Sequence, residues 1–363
     1  MKANAVPYGS VQGYKNAYRV AREGGAAVSW AICSIVAARY IFHLGPRFHS
    51  LFQLWRRPLG EWNAYITNNE ANERHRLLSS SADQFLTDNK LDFWLFCKDA
   101  NLATIPILGV MGLPGQGRPS GFADLTNRTS FVDFLVSAPE RLFVKPIFGQ
   151  SGEGAFSLTR EDAGWRFGGI VGTVDDVYDF CVVNVHRGLL FQPAIRPHPG
   201  LERSLSPKAL CTVRAVTSFS PGGARLIFSL LRLPVGDNQT DNWSVSGATG
   251  NLVAPIDPET GVLGPGVGSR RNDWPFLFLT DIHPDTRNAI SGYTLPLWSE
   301  VRALVLEGQE ALAAVPTLGW DVAITEDGPL LVETNWGYGV ETIQVALQRG
   351  VREDMEAIFR YCS

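Results

Sequence analysis

The stretch GWDVAITEDGPLLVETNWGYG, Gly319 to Gly339, places two apolar runs, WDVAI and LLVE, on either side of Glu326, Asp327 and Gly328. Alternating apolar residues around a short glycine-containing loop read as a β-hairpin. A three-residue loop with its glycine left-handed pairs Thr325 with Pro329, and counting back sets Asp321 opposite Glu333. Residues two apart on a strand share a face, so Asn335 joins them. Two carboxylates and an amide oxygen then converge with no cation nearby in sequence. Like charges facing each other destabilise a sheet. Mg2+ would compensate, because it takes a few carboxylate oxygens and completes its shell with water and substrate phosphates. The alternative, a solvent-exposed acidic hairpin, fits poorly with runs as apolar as WDVAI and LLVE.

Upstream, FVKPIFGQSGEGA, Phe143 to Ala155, puts a lysine inside an apolar strand and a loop of small residues directly after it. Lysine is rarely buried without a partner. Gly149 and Gly154 have Walker-type spacing, but the Lys-Ser/Thr of a P-loop is missing after Gly154. A dinucleotide fingerprint needs a helix after the glycines, and a strand follows here. Kinase HRD and DFG elements are absent. Two readings stand: a glycine loop whose N–H groups and Lys145 grip phosphate, or an ordinary hairpin turn beside a snorkelling lysine.

The surrounding chain bounds the rest. Its 363 residues suit two or three packed lobes, and 45% apolar composition with 10 Trp and 20 Phe supplies a large core. A net charge of -4 gives no general reason to expect nucleic acid. The five cysteines are scattered without a CxxC pair, which fits a reducing cytoplasm better than a disulfide framework or a zinc site. Residues up to about 89 read as helical. Thr87 or Asp88 is placed to cap a helix from near Asn89 to near Ala100. GGAAVSWAICSIVAA, Gly24 to Ala38, is short for a membrane span; a buried helix is the expectation, with an interfacial helix resting on a membrane as the alternative. From there strands and helices alternate after an antiparallel meander, an α+β pattern. GVETIQVALQRGVREDMEAIFRYC reads as one closing helix. His198, beside Arg196 and Arg203, reads either as the lining of an anionic-substrate pocket or as a surface loop.

A lysine-and-glycine loop followed by a D…ExN hairpin resembles the ATP-grasp superfamily. TDNKLDFWLFCKDANLATIPI resembles its first lysine, and LLFQPAI its adenine hinge. NWSVSGATGNLVAPID looks most like the sugar-transfer-associated group, relatives of α-L-glutamate ligases. The resemblance covers roughly residues 86–362. It implies an ATP-grasp fold, two α+β lobes gripping ATP, behind a helical N-terminal region: 1–85 helical, 86–190 the lobe with the phosphate loop, 191–363 the lobe with the metal site.

Residue by residue, the resemblance makes Lys90 and Lys145 the ATP lysines and Gln150, Ser151, Gly152, Glu153, Gly154 and Ala155 the phosphate loop. Gln192, Pro193, Ala194 and Ile195 would face adenine. Arg214 and Arg232 would face the transferred phosphate, with Asn242 and Gly247 in an accompanying loop. Asp321, Glu333 and Asn335 would hold Mg2+. The implied activity is an ATP-dependent carboxylate–amine ligase working through an acyl phosphate on small-molecule or peptide substrates. A small-molecule kinase or a non-catalytic nucleotide scaffold linked to glycan assembly are the alternatives. Oligomeric state is not legible.

Overall fold

The computed structural model describes residues 10–112, 121–122, 124–149, 153–243, 249–269 and 277–361. Thirteen strands among them form two antiparallel sheets. The first holds β1 (Gly109–Met111), β2 (Arg141–Pro146), β3 (Phe156–Glu161), β4 (Gly164–Phe167), β5 (Ile170–Gly172) and β6 (Leu189–Pro193), in the order β1-β6-β2-β3-β4-β5. The second holds β7 (Thr212–Ser220), β8 (Gly223–Leu233), β9 (Leu252–Pro255), β10 (Gly266–Ser269), β11 (Leu277–Thr280), β12 (Thr317–Thr325) and β13 (Gly328–Asn335), in the order β11-β10-β9-β8-β7-β12-β13. The chain is α+β.

Each sheet has its own core. Helices Arg128–Ser137 and Val174–Asn184 cover the first through Phe131, Leu135, Val177 and Cys181, packed with Leu142, Val144 and Phe191. On the second sheet, period-two alternation sends Leu318, Trp320, Val322 and Ile324 toward helix Trp298–Ala311. The opposite face is divided. Val216, Phe228, Leu230 and Val253 lie under the N-terminal helices, packed with Trp62, Tyr65 and Ile66. Arg214 and Arg232, two residues along the same strands from Val216 and Leu230, continue that face beyond the cover.

The N-terminal helices are therefore part of the second core. Buried Glu341 accepts from the Asn68 N–H at 3.0 Å, and its own N–H donates to Asn68 Oδ1 at 3.0 Å. Gln344 brackets Ile66 in the same way, through that residue's N–H at 2.9 Å and carbonyl at 2.7 Å. These bonds fix where helix Asn68–Leu78 begins.

Three sequence expectations change. The helix after Asp88 is Lys90–Asp99, and its cap is Asn89, whose side chain accepts from the Leu91 and Asp92 N–H groups. The closing helix is two, Val340–Leu347 and Arg352–Tyr361. Gln348 turns left-handed at φ 55°, and Gly350 runs against Ala64, where a Cβ would come within 2.3 Å of backbone. The expected buried helix is Val28–Tyr40, buried through Ala31, Ser34, Ile35 and Ala38 but exposed along its other side.

Candidate active site

A cavity of about 740 Å³ lies between the two sheets and the N-terminal helices. One wall is the β12–β13 hairpin. Its turn is tighter than expected: Thr325 pairs with Gly328 across a two-residue loop, and Thr325 Oγ1 donates to the Gly328 carbonyl at 2.7 Å. Val322 pairs with Leu331, after which the register shifts by one, leaving Val332 unpaired as a β-bulge. The bulge returns the count to the expected value, so Asp321 faces Glu333 and Gly319 faces Asn335. Asp321, Glu333 and Asn335 all line the cavity.

The compensating charge is not what the local sequence suggests. Asp321 also pairs across to Arg214 on β7. Arg214 Nε and Nη2 donate to its two carboxylate oxygens at 2.5 and 3.0 Å, and Arg232 Nη1 donates at 3.1 Å. All three side chains are buried or nearly so. Burial alone would raise the carboxyl, but the guanidiniums outweigh it and hold Asp321 down at about 2. No cation lies nearby in sequence, as expected, but strands about 90 to 110 residues away supply two, so the charge on Asp321 is compensated by arginine.

Arg232 has a further neighbour that sequence reasoning missed. Asp241 accepts from the Thr212 N–H at 2.8 Å and from its hydroxyl at 2.5 Å. Burial pushes this carboxyl up to about 6 against the pull of Arg232 and Thr212. Asp241 sits one residue before Asn242, and both line the cavity. The only sequence signal was its membership of the polar DNQTDN run.

The lysines enter from the other wall. Lys145 on β2 is 7% exposed, and its Nζ donates to the Val332 carbonyl at 3.3 Å. Burial lowers it to about 8, with Glu333 pulling the other way and Lys90 adding to the fall. Lys90 Nζ donates to the Gly149 carbonyl at 2.6 Å and stands 3.9 Å from Glu333 Oε2. Glu153 and Ala155 line the cavity, and Gly154 takes φ 80°, as the loop requires. Gln150, Ser151, Gly152 and Gly247 lie outside the described residues.

Gln192, Pro193, Ala194 and Ile195 leave β6 along the cavity edge, where the chain passes from one sheet toward the other. Gln192 Nε2 donates to the Ile105 carbonyl, and the Ala194 N–H to that of Arg141. His198 instead caps helix Pro199–Ser204, and its Nδ1 accepts from the Gly200 N–H.

Asn68, Asn72 and Arg76, one turn apart on helix Asn68–Leu78, also line the cavity. Arg76 lies over the Trp336 ring at 5.7 Å, directly after Asn335. Asn72 Oδ1 is buried without a hydrogen-bond partner among the described residues. Nothing in the helix's own sequence marks these residues, because their role comes from docking on Glu341 and Gln344.

The donors suit a hard cation. Asn335 Nδ2 is buried with no partner among the described residues, a donor that an acceptor such as a phosphate oxygen would satisfy, while a cation would be met by the amide oxygen of the same side chain. A carboxylate offers about four lone-pair positions. Asp321 takes three bonds from arginine and also meets the Glu333 side chain, so a cation would bind by replacing part of that contact, and Glu333 meets Lys90 at only 3.9 Å. Among the described residues there is no cluster of three His, Cys, Asp or Glu side chains, so any cation here depends on the asparagine as well.

A family model described as sugar-transfer associated ATP-grasp matches residues 73–360. No match is found among curated proteins. Similar solved structures include D-alanine–D-alanine ligase from Helicobacter pylori, 12% identical, covering 76% of this chain and 60% of that one, TM-score 0.42. D-cycloserine synthetase is 12% identical, with 79% and 74% covered and a TM-score of 0.41. Phosphoribosylamine–glycine ligase from Thermotoga maritima is 9% identical, with 78% and 56% covered and a TM-score of 0.43. The chain thus spans 60% of the length of the first of these ligases.

Proposed function

The chain belongs to the sugar-transfer associated ATP-grasp family, and from that premise we propose that it joins a carboxylic acid to an amine with conversion of ATP to ADP and phosphate. The observation that carries this reading is the convergence of Lys90, Lys145, Arg214, Arg232 and the Asp321–Glu333–Asn335 face on one cavity. Eight Lys or Arg and six Asp or Glu side chains line that void, and the four cations named here gather about Asp321 and Glu333, which suits a polyphosphate with its counter-ion.

Adenine lies against Gln192 to Ile195, in the passage between the sheets. Lys90 and Lys145 meet the phosphates, with Glu153 and Ala155 of the following loop beside them. Asp321, Glu333 and Asn335 would hold Mg2+, which when bound neutralises charge on the β- and γ-phosphates. Arg214 and Arg232, oriented by Asp321, face the γ-phosphoryl group. Catalysis on this reading is positional and electrostatic, because these donors are fixed before charge develops. The acid's carboxylate oxygen attacks the γ-phosphorus, the bond to the ADP oxygen breaks, and an acyl phosphate forms. The amine nitrogen then attacks the acyl carbon, phosphate leaves, and the nitrogen gives up a proton. Arg76, Asn72 and Asn68 place hydrogen-bond donors at the end of the cavity beyond Asn335, where the acid is held. Residues 1–85 therefore contribute to the acid site, 86–190 to the phosphate loop and 191–363 to the metal face.

The reading is tested by incubating the chain with MgATP, hydroxylamine and a panel of candidate acids, omitting the amine. The expected result is ADP, phosphate and a hydroxamate, lost in Glu333→Gln. AMP and pyrophosphate would overturn the mechanism. ADP with a stable phosphorylated product and no hydroxamate would make the chain a kinase.

A further inference from the structure

The helix Val28–Tyr40 leaves an apolar face outward that the catalytic reading does not use. Val28, Ile32, Val36 and Tyr40 follow one another at intervals of four, and they are 50%, 51%, 49% and 71% exposed. Ile41 and Cys33 are exposed beside them. At about 100° per residue, Val28, Arg39, Ile32, Val36, Ser29, Tyr40 and Cys33 span an arc of about 140°, opposite the buried Ala31, Ser34, Ile35 and Ala38. A helix apolar on its solvent side needs a partner there.

The charge around this face says which kind. Residues 1–60 contain eight Lys or Arg (Lys2, Lys15, Arg19, Arg22, Arg39, Arg47, Arg56, Arg57) and one acidic residue, Glu23. That segment carries +7, and since the chain totals -4 the remainder carries -11. Helix Val11–Glu23 packs beside Val28–Tyr40 through Val20, Ala21 and Ala31. It turns Lys15, Arg19 and Arg22 outward together with Val11 and Tyr18. Among the described residues no carboxylate forms an ion pair with Lys15, Arg19, Arg22 or Arg39. Among the described residues no helix is long and apolar enough to cross a membrane.

We propose that this face docks on an anionic lipid bilayer. Val28, Ile32, Val36 and Tyr40 enter the headgroup layer, while Lys15, Arg19, Arg22 and Arg39 meet lipid phosphates and carboxylates. An exposed apolar row with Arg39 on the same arc, and a neighbouring helix that exposes Lys15, Arg19, Arg22 and Tyr18, has the chemistry of an interfacial surface. A second copy of the chain is disfavoured as occupant, because it would bring the same cations together. The proposal stands independently of the ligase reading.

The test is co-sedimentation of the full chain with vesicles of phosphatidylcholine alone or with about 30 mol% phosphatidylserine, since each basic residue near an anionic surface is worth roughly five-fold in partitioning. Binding is expected only with phosphatidylserine and should fall as salt rises. The double variant Ile32→Glu/Val36→Glu should lose at least about ten-fold, with an unchanged melting temperature because both sites are exposed. Lys15→Glu/Arg19→Glu should weaken binding as well without touching the apolar row. Failure of the unaltered chain to bind, equal binding to phosphatidylcholine alone, or full binding by either variant overturns the proposal. A dimer abolished by Ile32→Glu/Val36→Glu, with no vesicle binding, also overturns it and gives the face to a second copy.

Discussion

The two walls of the cleft hold buried charge in opposite ways. On the seven-stranded side, Asp321 receives three guanidinium bonds from Arg214 and Arg232, and its surroundings keep it ionised. On the six-stranded side, Lys145 is as well hidden but has one carbonyl at 3.3 Å and no ion pair among the described residues. A paired buried charge holds its neighbours in place. An underpaired one is a standing cost that an anionic ligand removes. The first wall is built to be rigid without ligand, and the second to gain from one.

The sharpest way to break this contrast is Asp321→Asn. It strands two buried guanidiniums, so we expect a loss of about 3–5 kcal/mol in urea unfolding. A loss under about 1 kcal/mol would mean that the arginines are free to reach water, and the wall would not be rigid. Lys145→Met tests the other side with the opposite sign. Removing an underpaired buried charge should stabilise the ligand-free chain by about 1–3 kcal/mol. The same substitution should weaken MgATP binding at least about ten-fold by calorimetry, since a charge-assisted contact is worth roughly 1.5–3 kcal/mol. Loss of stability instead would show that Lys145 is structural.

The pH dependence sharpens the same point. Lys145 titrates near 8 when folded and near 10.5 as a free side chain. The unfolded chain therefore binds more protons between those values, and this lysine's contribution to stability rises with pH across that window. Nucleotide binding needs the charged form and moves the other way. Affinity should fall roughly eight-fold from about pH 7.5 to about pH 9, following the protonated fraction. A flat profile in calorimetry would remove Lys145 from the phosphate site. The smallest effect belongs to Asn89→Ala, which uncaps the helix carrying Lys90 and should cost about 1 kcal/mol. Thermal unfolding should register it, with MgATP affinity changing less than for Lys145→Met.

Legibility followed the range of the interaction. The Asp321–Glu333 pairing could be counted from the hairpin alone, although the turn is one residue shorter than counted and the bulge restores the difference. The lysines announced themselves by type and by the glycines that follow. The arginines on Asp321 did not, because antiparallel strands brought them from about 90 to 110 residues away. Asn72 and Arg76 were silent for the same reason: their helix is docked by residues far along the chain, Glu341 at its start, Arg352 on Glu70, and Tyr338 and Phe359 on His75. The helix Val28–Tyr40 is apolar on every side, so no periodicity distinguished its core face from its outer one. The break at Gly350 reflects a close approach to Ala64 that sequence spacing does not encode.

The bulge at Val332 has two separable effects. It resets the count so that two carboxylates meet, and it turns loose a carbonyl that Lys145 takes up from the opposite sheet. Adding one residue to the Glu326–Asp327 turn while deleting Val332 would keep the first effect and erase the second. Insertions and deletions in this hairpin are thus coupled in evolutionary terms: a turn of different length can survive if the bulge changes with it. The length of a surface turn, which looks free to vary, is then tied to how a lysine across the cleft is held.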